Sequence, residues 1–248
     1  MSWMFPRSSG IHAPETREWI LGALYLPVFL FFLNFAILTY FPALGFPLTE
    51  PRNYFFANLL YMTVNFAVML LIFRRTLWQS LREFEGKMLL SVLIGFGMCY
   101  GANLVLTTAY TVLDIMPENY NQEAVNSLLG GYPLAMTLCT VVLAPLAEEC
   151  LFRGVLFTPF CKKCPWVGYV LSVLLFSGIH VVNAIGIQSP VELILCFVQY
   201  VPLSLFLCWA CQKTRSIWGS ITLHALINGI SCLFMLLDSA AGQAGGLF

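Results

Sequence analysis

The stretch PLAMTLCTVVLAPLAEECLFRGVLF, Pro133–Phe157, decides the fold. Its 25 residues, at about 1.5 Å each in a helix, are long enough to cross a hydrocarbon core of about 30 Å. Three of them, Glu148, Glu149 and Arg153, are charged. Charge inside a span is costly and turns towards protein or a water-filled cavity rather than lipid. The stretch therefore predicts a membrane helix packed among other helices, with a polar site at its middle.

The rest of the chain agrees. Of 248 residues, 59% are hydrophobic and 10% charged, against about 25% charged in a soluble domain. The mean hydropathy is +0.82. Too few polar residues are present to cover a soluble core, which excludes an ordinary cytosolic enzyme and a disordered chain. Twelve Lys and Arg balance twelve Asp and Glu, which excludes a basic nucleic-acid binder. The composition predicts an all-α, polytopic transmembrane bundle.

Seven apolar runs are long enough to span: Trp19–Phe41, Tyr54–Phe73, Met88–Leu113, Pro133–Phe157, Trp166–Ile185, Val191–Cys211 and Ile217–Leu237. A pair of half-helices would make an eighth without disturbing the sidedness. Alternate segments then carry very different charge. One side holds Arg7, Arg17, Arg74, Arg75, Arg82, Lys87, Lys162, Lys163, Lys213 and Arg215, and the other holds only Arg52. Basic residues gather on the cytosolic side, so the N-terminus is expected in the cytosol. Residues 1–18 lack the apolar core of a cleavable signal, and the first span is read as an uncleaved anchor.

Asp114–Tyr132 is the polar stretch outside, with a short surface helix expected over Asn121–Leu129 and broken by Gly130-Gly131. The Gly-rich end, Ala240–Phe248, is expected to fray. With no repeat or linker, residues 1–248 read as one membrane domain: a cytosolic segment, 1–18, and motif-bearing helices over 133–237. Most of the nine cysteines lie in spans, where Cys behaves as a small hydrophobe. Cys161-Lys162-Lys163-Cys164 is a lone CxxC without the further ligands zinc needs, read as incidental loop cysteines.

The remaining polar groups sit in three spans. Glu149 and Arg153 are i,i+4 and can pair. Glu148 points about 100° around the helix from Glu149, free for proton transfer. His180 lies in the fifth span. His224 and Asn228, also i,i+4, are expected to face one cavity from the seventh. Counted along the helices from the basic residues, Glu148 and His180 lie about 20 Å deep and His224 about 13 Å. Helix 4, 5 and 7 neighbours would bring these groups to one chamber.

Several chemistries fit. Glu148 and His180 can activate a water as general bases, with His224 and Asn228 donating to the oxyanion. Alternatively Glu148, His180 and His224 can hold zinc, although no HExxH is present. Buried Glu and His can also relay protons in transport, but no repeated half-helices support that. The plainest reading is a polar network that holds helices together.

At these residues the chain resembles a family. Glu148-Glu149-Cys150-Leu151-Phe152-Arg153 matches EExxxR, Phe176-Ser177-Gly178-Ile179-His180 matches FxxxH, and His224-Ala225-Leu226-Ile227-Asn228 matches HxxxN. Their order and spacing resemble the CAAX protease and bacteriocin-processing (Abi) intramembrane proteases, which include the type II CAAX prenyl endopeptidases. The likeness covers residues 133–237; the first three spans match only in hydrophobicity. It implies an endopeptidase whose site opens to the cytosol, with Glu148 catalytic and His180 assisting. It further implies that His224 and Asn228 hold the oxyanion and that Glu149, Arg153 and Phe176 support the site. Members are described both as metal-independent glutamate proteases, favoured here with no cofactor, and as zinc enzymes. The implied substrate is a peptide or protein, prenylated or not, met in a bacterial cell membrane, with no nucleic-acid partner. A non-catalytic scaffold or a bacteriocin self-immunity protein is the alternative.

Overall fold

The computed structural model describes residues 11–161 and 163–245, with side chains of the last helix described to Asp238. Arg7, Lys162 and residues 246–248, which entered the expectations above, lie outside the described residues. Nine helices are formed among the described residues: α1 (Thr16–Ala43), α2 (Pro51–Ile72), α3 (Arg74–Arg82), α4 (Met88–Val112), α5 (Tyr120–Gly131), α6 (Pro133–Phe160), α7 (Pro165–Ala184), α8 (Pro190–Thr214) and α9 (Ile217–Gly245). All except α3 and α5 are long and apolar enough to cross a membrane, giving seven spans.

Local chemistry sets the helix ends. Pro51, Pro133, Pro165 and Pro190 open their helices within the first two positions, where a missing N–H costs nothing and φ is already helical. Ser189 and Glu192 form a capping box on α8, and Asn119 Oδ1 accepts from Gln122 N at 3.1 Å to cap α5. Buried Glu18 of α1 accepts from the backbone N–H groups of Arg75 and Thr76 at 3.1 and 3.2 Å. That carboxylate sits on the positive N-terminal end of α3 and ties α1 to it. Arg215 ends α8 at φ 58°, the left-handed cap usually given to glycine.

The bundle centres on α6, which packs against α1, α2, α7 and α9, while α8 packs between α4, α7 and α9. The helices carrying the three motifs are thus neighbours. Outward faces stay apolar, as lipid requires: Leu134 is 87% exposed and Val112 77%. α6 is not a uniform α-helix. Cys139–Leu143 and Cys150–Val155 are π-helical and bracket Glu148 and Glu149; wide turns of this kind often mark functional sites.

Two expectations change. α5 runs through Gly130 and Gly131 before ending, and it buries Leu128 and Leu129 against Phe55 and Met136; burial of its apolar side makes it part of the wall. The last helix continues to Gly245, past the start of the segment expected to fray. Cys161 is buried, with Sγ on Phe157 O at 3.4 Å, and Cys164 is exposed.

Where α7 starts against the end of α6, a Cβ on Gly168 would lie 2.8 Å from the Phe157 carbonyl oxygen. Backbone cannot step aside cheaply, so Gly168→Ala is expected to cost about 1–3 kcal/mol, read as a lower melting temperature in detergent. An unchanged melting temperature would mean that the two helices slide apart freely there.

Candidate active site

Glu149, fully buried, is the hub of the polar set. Its Oε1 accepts from Arg153 Nη1 at 3.1 Å and contacts His224 Nδ1 at 2.8 Å. Its Oε2 lies 3.1 Å from Arg153 Nε and accepts from Ser220 Oγ. The i,i+4 spacing of Glu149 and Arg153 makes this pair. Arg153, also fully buried, reaches α8 through Nη2, which donates to Ser204 O and Ser204 Oγ, both at 3.0 Å. Its guanidinium lies 4.7 Å above the Phe176 ring, a favourable cation–π contact. Phe176 is wedged centrally, 5.7 Å from the His224 ring and 4.6 Å from the His180 ring.

Glu148 is placed differently. It lines a cavity of about 370 Å³ together with His180. Its Oε2 is shielded from solvent and has no hydrogen-bond partner. A buried carboxylate oxygen with nothing to accept is uncommon, and here it belongs to a residue of the cavity wall. The one-residue offset of the two glutamates thus separates a neutralised carboxylate from an unengaged one.

Hydrogen bonding fixes the histidine tautomers. The Phe176 carbonyl can only accept, so His180 Nδ1 carries the proton that donates to it at 2.8 Å. By the same logic His224 Nδ1–H donates to the Glu149 carboxylate. Both rings in their neutral forms therefore present a lone pair at Nε2. The His180 ring also packs at a tilt of 31° against Tyr200, ring centroids 4.3 Å apart. The Tyr200 hydroxyl donates to Asn119 Oδ1 and accepts from Asn121 Nδ2, each at 3.1 Å. This linkage holds His180 to α5.

The expectation that His224 and Asn228 face the same cavity changes. Neither lines it. His224 is buried against Glu149, and Asn228 Nδ2 donates to Thr140 O at 2.9 Å across to α6. One N–H and the carbonyl oxygen of Asn228 remain for other partners. Spacing on one face put both residues towards α6, where Glu149 and the Thr140 carbonyl engage them away from the cavity lining. Ser220, Ser204 and Tyr200 were not among the candidates. Ser220 lies one helical turn before His224, so the same i,i+4 rule reaches it; Ser204 and Tyr200 have no such signal.

The cavity walls come from α1, α2, α5, α6 and α7. Tyr120 and Asn183 are exposed residues of its wall, and they lie at the end of the bundle away from the basic residues.

The donor set suits zinc only in part. Each His donates its Nδ1–H to an oxygen, as metal-bound histidines do. However, no three His, Cys, Asp or Glu side chains among the described residues are arranged to hold a metal ion.

Comparison with known proteins adds the following. Residues 130–230 match the family described as type II CAAX prenyl endopeptidase Rce1-like. UPF0177 protein YbdI of Lactococcus lactis subsp. lactis is 25% identical over 189 residues, 73% of this chain and 96% of that protein. UPF0177 protein YvdC of the same organism is 23% identical over 139 residues, 56% of this chain and 50% of its own length. UPF0177 protein YbdJ is 32% identical over 90 residues, 36% of this chain and 34% of its own. The chain thus spans nearly all of the first relative and half or less of the other two. No solved structure matches. The matched segment includes Glu148, Glu149, Arg153, Phe176, His180, His224 and Asn228.

Proposed function

With residues 130–230 a segment of the Rce1-like family of type II CAAX prenyl endopeptidases, we propose that this multi-pass membrane protein is an intramembrane endopeptidase in which Glu148 activates the attacking water. The observation that carries the reading is the unpartnered Glu148 Oε2 beside the His180-lined cavity, with Glu149 already neutralised by Arg153.

A water between Glu148 and His180 would lose its proton to Glu148 while its oxygen attacks the substrate carbonyl carbon. His180 Nε2, an acceptor in the neutral ring, holds the second water hydrogen and orients the lone pair. The carbonyl oxygen becomes an oxyanion. Asn228 retains an amide N–H for it, and His224, when protonated, supplies an Nε2–H that the Glu149 carboxylate stabilises from the other side. Collapse of the tetrahedral intermediate breaks the C–N bond, and Glu148 returns its proton to the leaving amine. Neither oxyanion donor lines the cavity, so the scissile carbonyl must move beyond its wall to meet them. Phe176 keeps Arg153 and both histidines in place. No step needs a metal.

The substrate in this reading is a peptide or protein, prenylated or not, cleaved in a bacterial cell membrane; the organism of the relatives supports that location. Comparative peptidomics of membranes carrying the natural chain or Glu148→Gln tests it. Peptides present with the natural chain and missing with the variant are expected. Identical peptide sets reject the reading. Cells that tolerate Glu148→Gln but not deletion would instead favour the scaffold or self-immunity role.

Metal dependence is tested separately. Cleavage is expected to survive dialysis against a strong chelator. Activity lost on chelation and restored by zinc alone would replace the water-glutamate mechanism with a metal-held water.

A further inference from the structure

The two ends of the bundle differ in charge. Of the ten described Lys and Arg, Arg153 is in the core, Arg52 lies at one end, and the other eight lie at the opposite end. Contacts confirm which segments share the basic end. His12 pairs with Glu83, Arg75 with Glu15 at 2.9 Å, and Trp218 Nε1 donates to Leu77 O at 2.8 Å. At the other end, Gln188 Nε2 donates to Glu118 O, and Cys196 Sγ lies 3.2 Å from the same carbonyl.

The Glu148 cavity belongs wholly to the Arg52 end. Its walls include Leu48 from the α1–α2 connection, Tyr120 and Asn121 of α5, and Asn183 at the end of α7. At the rim Tyr120 is 41% exposed. No wall residue comes from the basic end. Between Glu148 and that end lie Phe73, Phe152 and Met69, all fully buried in one core cluster, together with the Glu149–Arg153 pair. A polypeptide could not pass this plug without unpacking the core.

Basic segments are retained in the cytosol. We infer that the site is entered from the non-cytosolic side of the membrane. Given the endopeptidase reading, its substrate is then an exported polypeptide segment, and a cytosolic lipidated C-terminus has no route to Glu148. The wall chemistry agrees with a peptide guest. Asn34, Asn58, Asn121 and Asn183 line it, and each amide can both donate and accept, as an extended backbone does.

Cysteine accessibility tests the sidedness without reference to catalysis. Cys164 is exposed at the basic end, and the other eight cysteines are buried, so it is a built-in marker. Two variants in a Cys164→Ala background mark the other end: Ile187→Cys in the α7–α8 loop, outside the cavity, and Asn183→Cys on its wall. A membrane-impermeant maleimide is applied to intact cells and again after permeabilisation. The Ile187 and Asn183 variants are expected to react in intact cells, and Cys164 of the parent chain only after permeabilisation. Cys164 reacting in intact cells overturns the inference. So do Ile187 or Asn183 variants that react only after permeabilisation, or an Asn183 variant that stays inert while the Ile187 variant reacts. Adding Glu148→Gln should leave the pattern unchanged, so a failed protease reading and a failed sidedness are told apart.

Discussion

Glu148→Gln is expected to lower peptide hydrolysis by about 10²–10⁴-fold, the range of general-base contributions, while the melting temperature in detergent stays where it was. Both halves of this expectation follow from one atom. Glu148 Oε2 has no hydrogen-bond partner, so an amide of the same shape removes no observed bond. The amide cannot take a proton from water, so the attacking nucleophile is lost. Uptake of substrate into the cavity should change little, because the wall keeps its size and its asparagines. A Glu148→Gln chain with full activity on a true substrate would sink the mechanism. A chain that no longer folds would show instead that Glu148 has a structural duty the static contacts do not reveal.

Arg153→Met should behave in the opposite way, with a loss of about 3–5 kcal/mol in stability, the cost of stripping one partner from a buried ion pair. The guanidinium contacts both oxygens of Glu149 and two oxygens of Ser204, and it covers the Phe176 ring. Its removal leaves a buried carboxylate held by Ser220 and His224, and a Ser204 carbonyl facing an alkyl chain. Thermal denaturation in detergent reads the loss directly. The double variant Arg153→Met with Glu149→Leu should recover much of it, since an apolar pair of similar volume is often tolerated where a half-pair is not. It should not recover activity, because His224 would lose the acceptor that orients its ring. An Arg153→Met chain that melts like the natural one would mean that the pair contributes no stability.

The seven spans are legible because lipid imposes a length and an apolar composition on each one. The Glu149–Arg153 pair is legible because it depends only on the rise and turn of a single helix. What spacing cannot give is which way a helix is rotated against its neighbours. Asn228 shows this: the i,i+4 rule sets it beside His224, but only the packing of α9 on α6 turns it to Thr140 O. Tyr200 is hidden for the same reason, since its ring contact with His180 joins α8 to α7. The cavity is least legible. Much of its wall comes from α1 and α2, spans that carry no motif.

The π-helical turns of α6 give the span a place to absorb changes in chain length. Each wide turn holds one residue more than the α-helical hydrogen-bond pattern needs. Deleting a single residue between Cys139 and Leu143 would let the turn tighten into an ordinary helix while the segments on either side stay nearly in phase. The loss would be local, in the turn whose Thr140 carbonyl accepts from Asn228. Between the two wide turns the helix is regular, and a residue lost there would rotate one part of the span by about 100° against the other. Single-residue changes of length in this span are therefore expected at the wide turns and not between Ala144 and Glu149.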